Sequence, residues 1–546
     1  MSYQTRDGRC RSPFCPNKMN TKTLFLLLFT LCKTSLCAHV WQWSVKVEGY
    51  KHPELNDSPT AFLWIPENCK KVKGVVWGMH NMIEEGILEN ARFRQTMSEI
   101  GFAAIWVTPG LDMVFDFNKG AGESFETMMK QLADVSGYRE LAAVPVVPIG
   151  HSAHASFPWN FGAWSPNRTL AIISIKGDSP LTPLTGSGKP NPDWGNRTVE
   201  GIPSLFIMSE IEWWEDRIQP GFNYVQKYPN TPITFFADAG HGHFDYNQLL
   251  VDYIALFIKK AAKYRLSPNG LRFIHPKDGW LTDRWRPNAL PMASSALYPH
   301  YKGDKNAASW CFDKEMATYT EAYYATPRQK TNQYIGFIQN ADTLQPSKSH
   351  GQYSLKFKPL DDGITFQLKP FFSDTSKIKS AAQFAQTALS IDRICGPVKK
   401  INDTTFQLSF YRMGFDNPKR SNAIWLLAHN EGDYKFKSAV QQAEVKFPLK
   451  NTQGVAQKIV FEKLEDPTIN TKSISLKAQS SAHLLVSFYV KEGPAYVVGN
   501  QLIFTKIPPN AKSPVKITVV AWQYGMVGKV QSAEPVERSF FIETPR

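Results

Sequence analysis

Eight short apolar runs between residues 41 and 240 limit what this chain can fold into more than any other feature. They are WQWSVKV (41–47), TAFLWIP (60–66), GVVWGMH (74–80), FAAIWVTP (102–109), VPVVPIG (144–150), LAIISIK (170–176), SLFIMSE (204–210) and ITFFADAG (233–240). Runs this short and this continuously apolar suit strands buried on both faces. From the third run onward the gaps hold amphipathic segments, among them EEGILENARFRQTMSEIG and ESFETMMKQLADVSGYREL. After the eighth comes FDYNQLLVDYIALFIKKAAKY, whose spacing predicts Leu249, Leu250, Tyr253, Leu256 and Phe257 inside and Lys259, Lys260 and Lys263 outside. Such alternation predicts an eight-stranded, mainly parallel sheet covered on both faces, with the first two runs paired as an antiparallel edge.

At 546 residues the chain exceeds a single core. Past residue 268 the pattern changes to a Pro-, Trp- and Arg-rich linker and one helix, ASWCFDKEMATYTEAYYA. From about 351 strands and turns alternate to the C-terminus, with DDG at 361–363 as a hairpin candidate. The expected divisions are a leader (1–38), an α/β domain (39–267), a linker with a helix (268–350) and two all-β sandwich-like modules (351–449 and 450–546).

The leader has the form of a secretory signal: Met19, Lys22, an apolar run from Leu24 to Leu31, then small residues to Ala38. Secretion or a cell-surface or periplasmic location is the expectation, with a lipoprotein at Cys32 or Cys37 as a variant of it. Beyond the leader only Cys69, Cys311 and Cys395 remain, so at most one disulfide forms and no paired-cysteine metal motif survives. The formal charge of +14 is spread along the chain without a basic run, which speaks against a nucleic-acid partner and is compatible with an acidic polysaccharide or an anionic cell surface.

The chemistry centres on PIGHSAHA, directly after the fifth run. A serine needs a base to remove its proton and an acid to orient that base. Ser152 stands where a strand turns into a helix, and Gly150 leaves room for a strained turn. His154 takes the place of the second glycine in Gly-x-Ser-x-Gly. Carboxylates follow the seventh run in SEIEWWEDR, with Glu212 as the candidate acid and Glu210 as the alternate. Histidines follow the eighth in DAGHGHFDYN, with His241 as the candidate base and His243 as the alternate.

With serine, acid and histidine after the fifth, seventh and eighth strands, residues 40–265 resemble the α/β-hydrolase superfamily, nearest to its dienelactone-hydrolase-like and acetylxylan-esterase-like members. The resemblance implies an oxyanion hole built from the amides of Ala153 and of Met82 or Asn81. Residues 474–542, from ISLKAQSSAHLL through VVAWQYG to VERSFFI, resemble the immunoglobulin-like repeats of secreted bacterial proteins. The implied activity is a serine esterase needing no metal or organic cofactor and acting on an acylated polysaccharide or glycoside-derived ester. Trp213, Trp214, Trp159, Asp112 and His154 are the expected substrate contacts. A prolyl-oligopeptidase-like peptidase is a second reading, although that family carries its β domain before the catalytic one. A third is a non-catalytic carbohydrate-binding scaffold on a decayed hydrolase, favoured by His154.

Overall fold

The computed structural model describes residues 40–543, apart from 183–184, 212–213, 348–351, 377, 416 and 469–470. The leader lies outside the described residues.

Eight strands form one sheet: β1 (Trp43–Lys46), β2 (Thr60–Trp64), β3 (Gly74–Met79), β4 (Phe102–Thr108), β5 (Val146–His151), β6 (Ile172–Ile175), β7 (Ser204–Ser209) and β8 (Ile233–Asp238). Their order is β1-β2-β4-β3-β5-β6-β7-β8. β1 and β2 pair antiparallel, β2 joins β4 antiparallel, and the pairs from β4 through β3 to β8 are parallel. Strands β3 to β8 are buried throughout, which is why their sequence shows no alternation.

Neighbouring residues of β3 show how the sheet is covered. The Trp77 ring packs on Phe125, Phe157 and Phe161, from the helices Ala121–Ser136 and Phe157–Trp164. A side chain at Gly78 would instead meet Leu88 and Glu84, from the short helix Glu84–Leu88 on the other face. Beside that helix, Ala91–Ile100 is capped by Asn90, which accepts from the amides of Arg92 and Phe93, and lies along the helix Gln248–Arg265.

Two side chains of that last helix depart from the sequence pattern. Leu249 is exposed, whereas Lys260 is buried and paired with Asp313 and Glu315. Both carboxylates come from the segment after residue 268, which packs on the β8 edge. Thr234 Oγ1 donates to the Trp310 carbonyl at 2.6 Å, and the Ala237 amide donates to the Tyr324 hydroxyl at 2.9 Å. Leu281, Trp285, Trp310 and Tyr324 thus join the core of the α/β unit.

A second core spans residues 335–447 and takes in Tyr489, Val520, Trp522 and Tyr524 from the last module. A third spans residues 459–542. DDG is a turn but not a hairpin: Tyr353–Lys356 before it pairs with Ala439–Lys446, while Thr365–Gln367 after it pairs with Thr405–Leu408. Cys69, Cys311 and Cys395 are buried free thiols. Among the described residues, no helix is long and apolar enough to cross a membrane.

Candidate active site

β5 ends at His151, and Ser152 follows in the left-handed region with φ of 53°, opening a single turn, Ser152–His154, ahead of the helix Phe157–Trp164. A non-glycine residue held there stores strain that the surroundings must support. Gly150 is one support, because a Cβ on it would lie 2.1 Å from the His154 carbonyl oxygen. Close helix-to-strand approach is made one residue later than the sequence pattern suggests. A Cβ on Gly177, just past β6, would lie 2.1 Å from that of Ala155, so the missing glycine at 154 is answered by Gly177. His154 itself is buried, its Nε2 against Gly110. Burial, aided by Arg420, His151, His52 and Lys189, pushes its pKa down to about 3, so it is neutral.

The histidine facing the serine is His243, not His241: Ser152 Oγ and His243 Nε2 are 2.7 Å apart. His241 is drawn the other way. Its Nδ1 lies 2.5 Å from Asp245 Oδ2 and its Nε2 lies 3.1 Å from Asn247 Nδ2. The sequence signal that separates the two histidines is the carboxylate four residues after His241.

The loop bearing His243 is held by a buried ammonium. Lys176, at the end of β6 with φ of 49°, donates to the Gly242 and Asp245 carbonyls, both at 2.7 Å. Its Nζ also lies 2.8 Å from Asp238 Oδ2 and 3.0 Å from Asp245 Oδ1. Burial alone would raise Asp245; Lys176 and His241 hold it well below the usual carboxylate range. Asp238, His241 and Asp245 bring ligand-type atoms within 4.8 Å of one another. Lys176 already bridges the two carboxylates.

His151, which the sequence marks only as a filler between Gly150 and Ser152, ties the serine strand to the loop bearing His243. Its Nε2–H donates to the His243 carbonyl at 2.8 Å, which leaves Nδ1 to accept from Asn81 Nδ2 at 3.3 Å. Asn81 Nδ2 also donates to the His151 carbonyl at 2.8 Å. Burial pushes the His151 pKa down to about 3, matching that neutral tautomer.

Met82 does not present its amide to the serine. The Met82 amide donates to Glu84 Oε2 at 3.0 Å, and the His151 amide donates to Oε1 at 2.8 Å. The backbone of Asn81 donates to the same carboxylate, so neither residue offers the oxyanion donor implied for this loop. Burial pushes Glu84 up to about 7 against these donors. Ala153 sits in the turn at the serine, partly exposed.

Of the carboxylates after β7, Glu212 lies outside the described residues, as does Trp213. Glu210 is engaged away from the histidine, accepting from the Gly240 amide at 2.7 Å and pairing with Lys437 at 3.1 Å. Trp214 opens the helix Trp214–Lys227. Trp159 is no cleft residue: it is buried, and its Nε1 donates to the Asp178 carbonyl at 2.8 Å. Asp112 Oδ1 accepts from the amides of Val114 and Asp116, capping its own loop.

The middle β module closes over this site. Trp425 packs at a tilt on Phe244, the neighbour of His243, with centroids 5.2 Å apart and ring planes inclined at 40°. Arg420 donates from Nη1 to the His80 carbonyl at 3.0 Å and from Nε to Glu54 at 2.9 Å. A cavity of about 320 Å³ opens between this module and the loop after β3.

No protein-family model matches the chain, and no curated protein matches it. Among solved structures it is similar to a hyperthermophilic esterase from the archaeon Pyrobaculum calidifontis, at 16% identity over 45% of this chain and 94% of that one, with a TM-score of 0.29. It is also similar to Est1E from Butyrivibrio proteoclasticus, at 14% identity over 40% of this chain and 96% of that one, with a TM-score of 0.27. A ferulic acid esterase is similar at 13% identity over 41% of this chain and 99% of that one, with a TM-score of 0.30. Likeness at this level carries no argument about chemistry, which rests on the sheet order and on the geometry around Ser152.

Proposed function

We propose that the chain is a serine hydrolase that cleaves esters, on the observation that a strained strand-end serine meets a loop histidine at 2.7 Å. The Ser152 hydroxyl donates to His243 Nε2. As Oγ attacks the ester carbonyl, His243 takes the proton and then returns it to the leaving alkoxide. Water, activated by the same imidazole, attacks the acyl-serine and releases the acid. Glu212 is the proposed acid behind His243, and the Ala153 amide the proposed oxyanion donor. The leader, and the half-buried Trp425 lining the cavity, fit a secreted enzyme acting on an acylated saccharide. His154 does not oppose catalysis, because Gly177 and Ala155 restore the close packing that its side chain would otherwise prevent.

The test is turnover of 4-nitrophenyl acetate together with labelling by a fluorophosphonate probe. Ser152→Ala should remove both, and His243→Gln should lower kcat by about 10³-fold or more. His241→Gln should cost far less. Labelling that survives in Ser152→Ala, or an unaffected His243→Gln enzyme, would overturn the assignment.

A further inference from the structure

The cavity between the loop after β3 and the middle β module is linked to the serine strand through one lining residue. Asn81 lines it while holding the carbonyl of His151, the residue before Ser152. The loop after β6 approaches the serine itself, since a Cβ on Gly186 would lie 3.3 Å from the Ser152 carbonyl oxygen, and its exposed Lys189 is felt electrostatically by His154 and His52. The volume of about 320 Å³ is that of a site for one small ring, and Trp425 gives it an aromatic wall.

The charges of this mouth are unevenly satisfied. His80 and His154 are neutral through burial, and His52 is likewise held down. Of the lining carboxylates, Glu54 accepts from Arg420 Nε and Asn417 Nδ2 at 2.9 Å each, and Glu444 lies 3.5 Å from Lys446. Lys419 is exposed on the rim. Arg420 spends Nε on Glu54 and Nη1 on the His80 carbonyl, while no acceptor among the described residues lies within hydrogen-bonding distance of Nη2. A guanidinium edge with two donors left over in a cavity matches a carboxylate.

We propose that this cavity takes the carboxylate-bearing part of the ester substrate, with Arg420 Nη2 as its anchor and Lys419 and Lys189 drawing it in. The proposal rests on the serine-hydrolase reading for its chemistry but not for its binding. The carboxylate belongs either to the acyl group, as in a dicarboxylate half-ester, or to the alcohol, as in a uronic acid.

Two matched pairs separate these sources: 4-nitrophenyl acetate against 4-nitrophenyl hemisuccinate, and acetylated methyl glucoside against acetylated methyl glucuronoside. In one pair the anionic member should show a kcat/KM about ten-fold higher at low salt, and the advantage should shrink in 0.5 M NaCl (on the order of a 4 Å Debye length). Lys419→Gln with Lys189→Gln should lower that anionic-to-neutral ratio several-fold. A ratio at or below one in both pairs, or one indifferent to the double substitution, overturns the proposal. Calorimetric titration of Ser152→Ala protein with methyl glucuronoside, methyl glucoside and succinate tests the cavity without turnover. Binding of either anion but not of the glucoside, lost in Arg420→Gln, supports it even if no ester is cleaved; no anion binding overturns it even if esters are cleaved.

Discussion

Glu84 shows how much one side chain can organise. Its two oxygens hold two stretches of backbone together, Oε1 at residue 151 before the serine and Oε2 at residue 82 in the loop after β3. A glutamine fits the space but must turn its NH₂ toward one of those amides, whichever way it flips. Glu84→Gln is therefore expected to cost about 1–3 kcal/mol, read by urea unfolding at neutral pH, and to lower kcat more than it raises KM. The pH dependence has a definite sign. Because the folded pKa is raised from 4.5 to about 7, the stability linked to this proton is full below 4.5 and lost as pH rises through 7. The wild-type advantage over Glu84→Gln should narrow across that window, whereas a constant difference would exclude titration at this position. Little of this is legible in the sequence, because a glutamate two residues beyond an expected oxyanion donor gives no sign of which amides it will capture. The two histidines are similar. The motif admits both His241 and His243 and favours the former, whereas the structure turns the latter to Ser152 through Asp245, Lys176 and Trp425, which lies 181 residues beyond Phe244.

At the scale of elements, the eight apolar runs lie on the eight strands, and for β3 to β8 burial on both faces leaves a mark in the sequence that needs no knowledge of neighbours. Elements whose partners are distant are harder to read. Lys260 looks like a surface residue of an amphipathic helix until Asp313 and Glu315 are folded against it. DDG looks like a hairpin because the turn chemistry is local, while the pairing of the flanking strands is not. Lys176 couples two elements, the end of β6 and the loop after β8, through two backbone carbonyls and two carboxylates. Lys176→Met would leave Asp238 and Asp245 buried without their ammonium, a change expected to destabilise by about 3–5 kcal/mol. In protein that stays folded, kcat should fall by about ten- to a hundred-fold with KM little altered, because the loop bearing His243 loses its tether. A proportionate rise in KM would mean that Lys176 serves the substrate pocket and not the base.

At the scale of the molecule, the β modules clasp the α/β unit at several places. The middle one carries Trp425 onto the base loop, and Ser438 lies against Gly240, whose Cβ position is 3.1 Å from its Oγ. The last one reaches the opposite edge of the sheet, where the Gly493 amide donates to the Trp41 carbonyl at 3.1 Å and the Lys512 amide donates to the Ser136 carbonyl at 2.9 Å. Trp425→Ala should cost about 2–4 kcal/mol and lower fluorophosphonate labelling of Ser152, even though the residue lies in a different module from the serine. Labelling at the wild-type rate would show that the α/β unit sets its own base loop. The Trp425 contact also orders events in time. During synthesis the serine, its strand and the histidine leave the ribosome by residue 243, but the ring that braces the loop emerges about 180 residues later. A nascent chain would thus hold Ser152 and His243 for about 180 residues of synthesis before the ring that braces their loop exists, so a chain cut between residues 243 and 425 would carry both side chains without that brace.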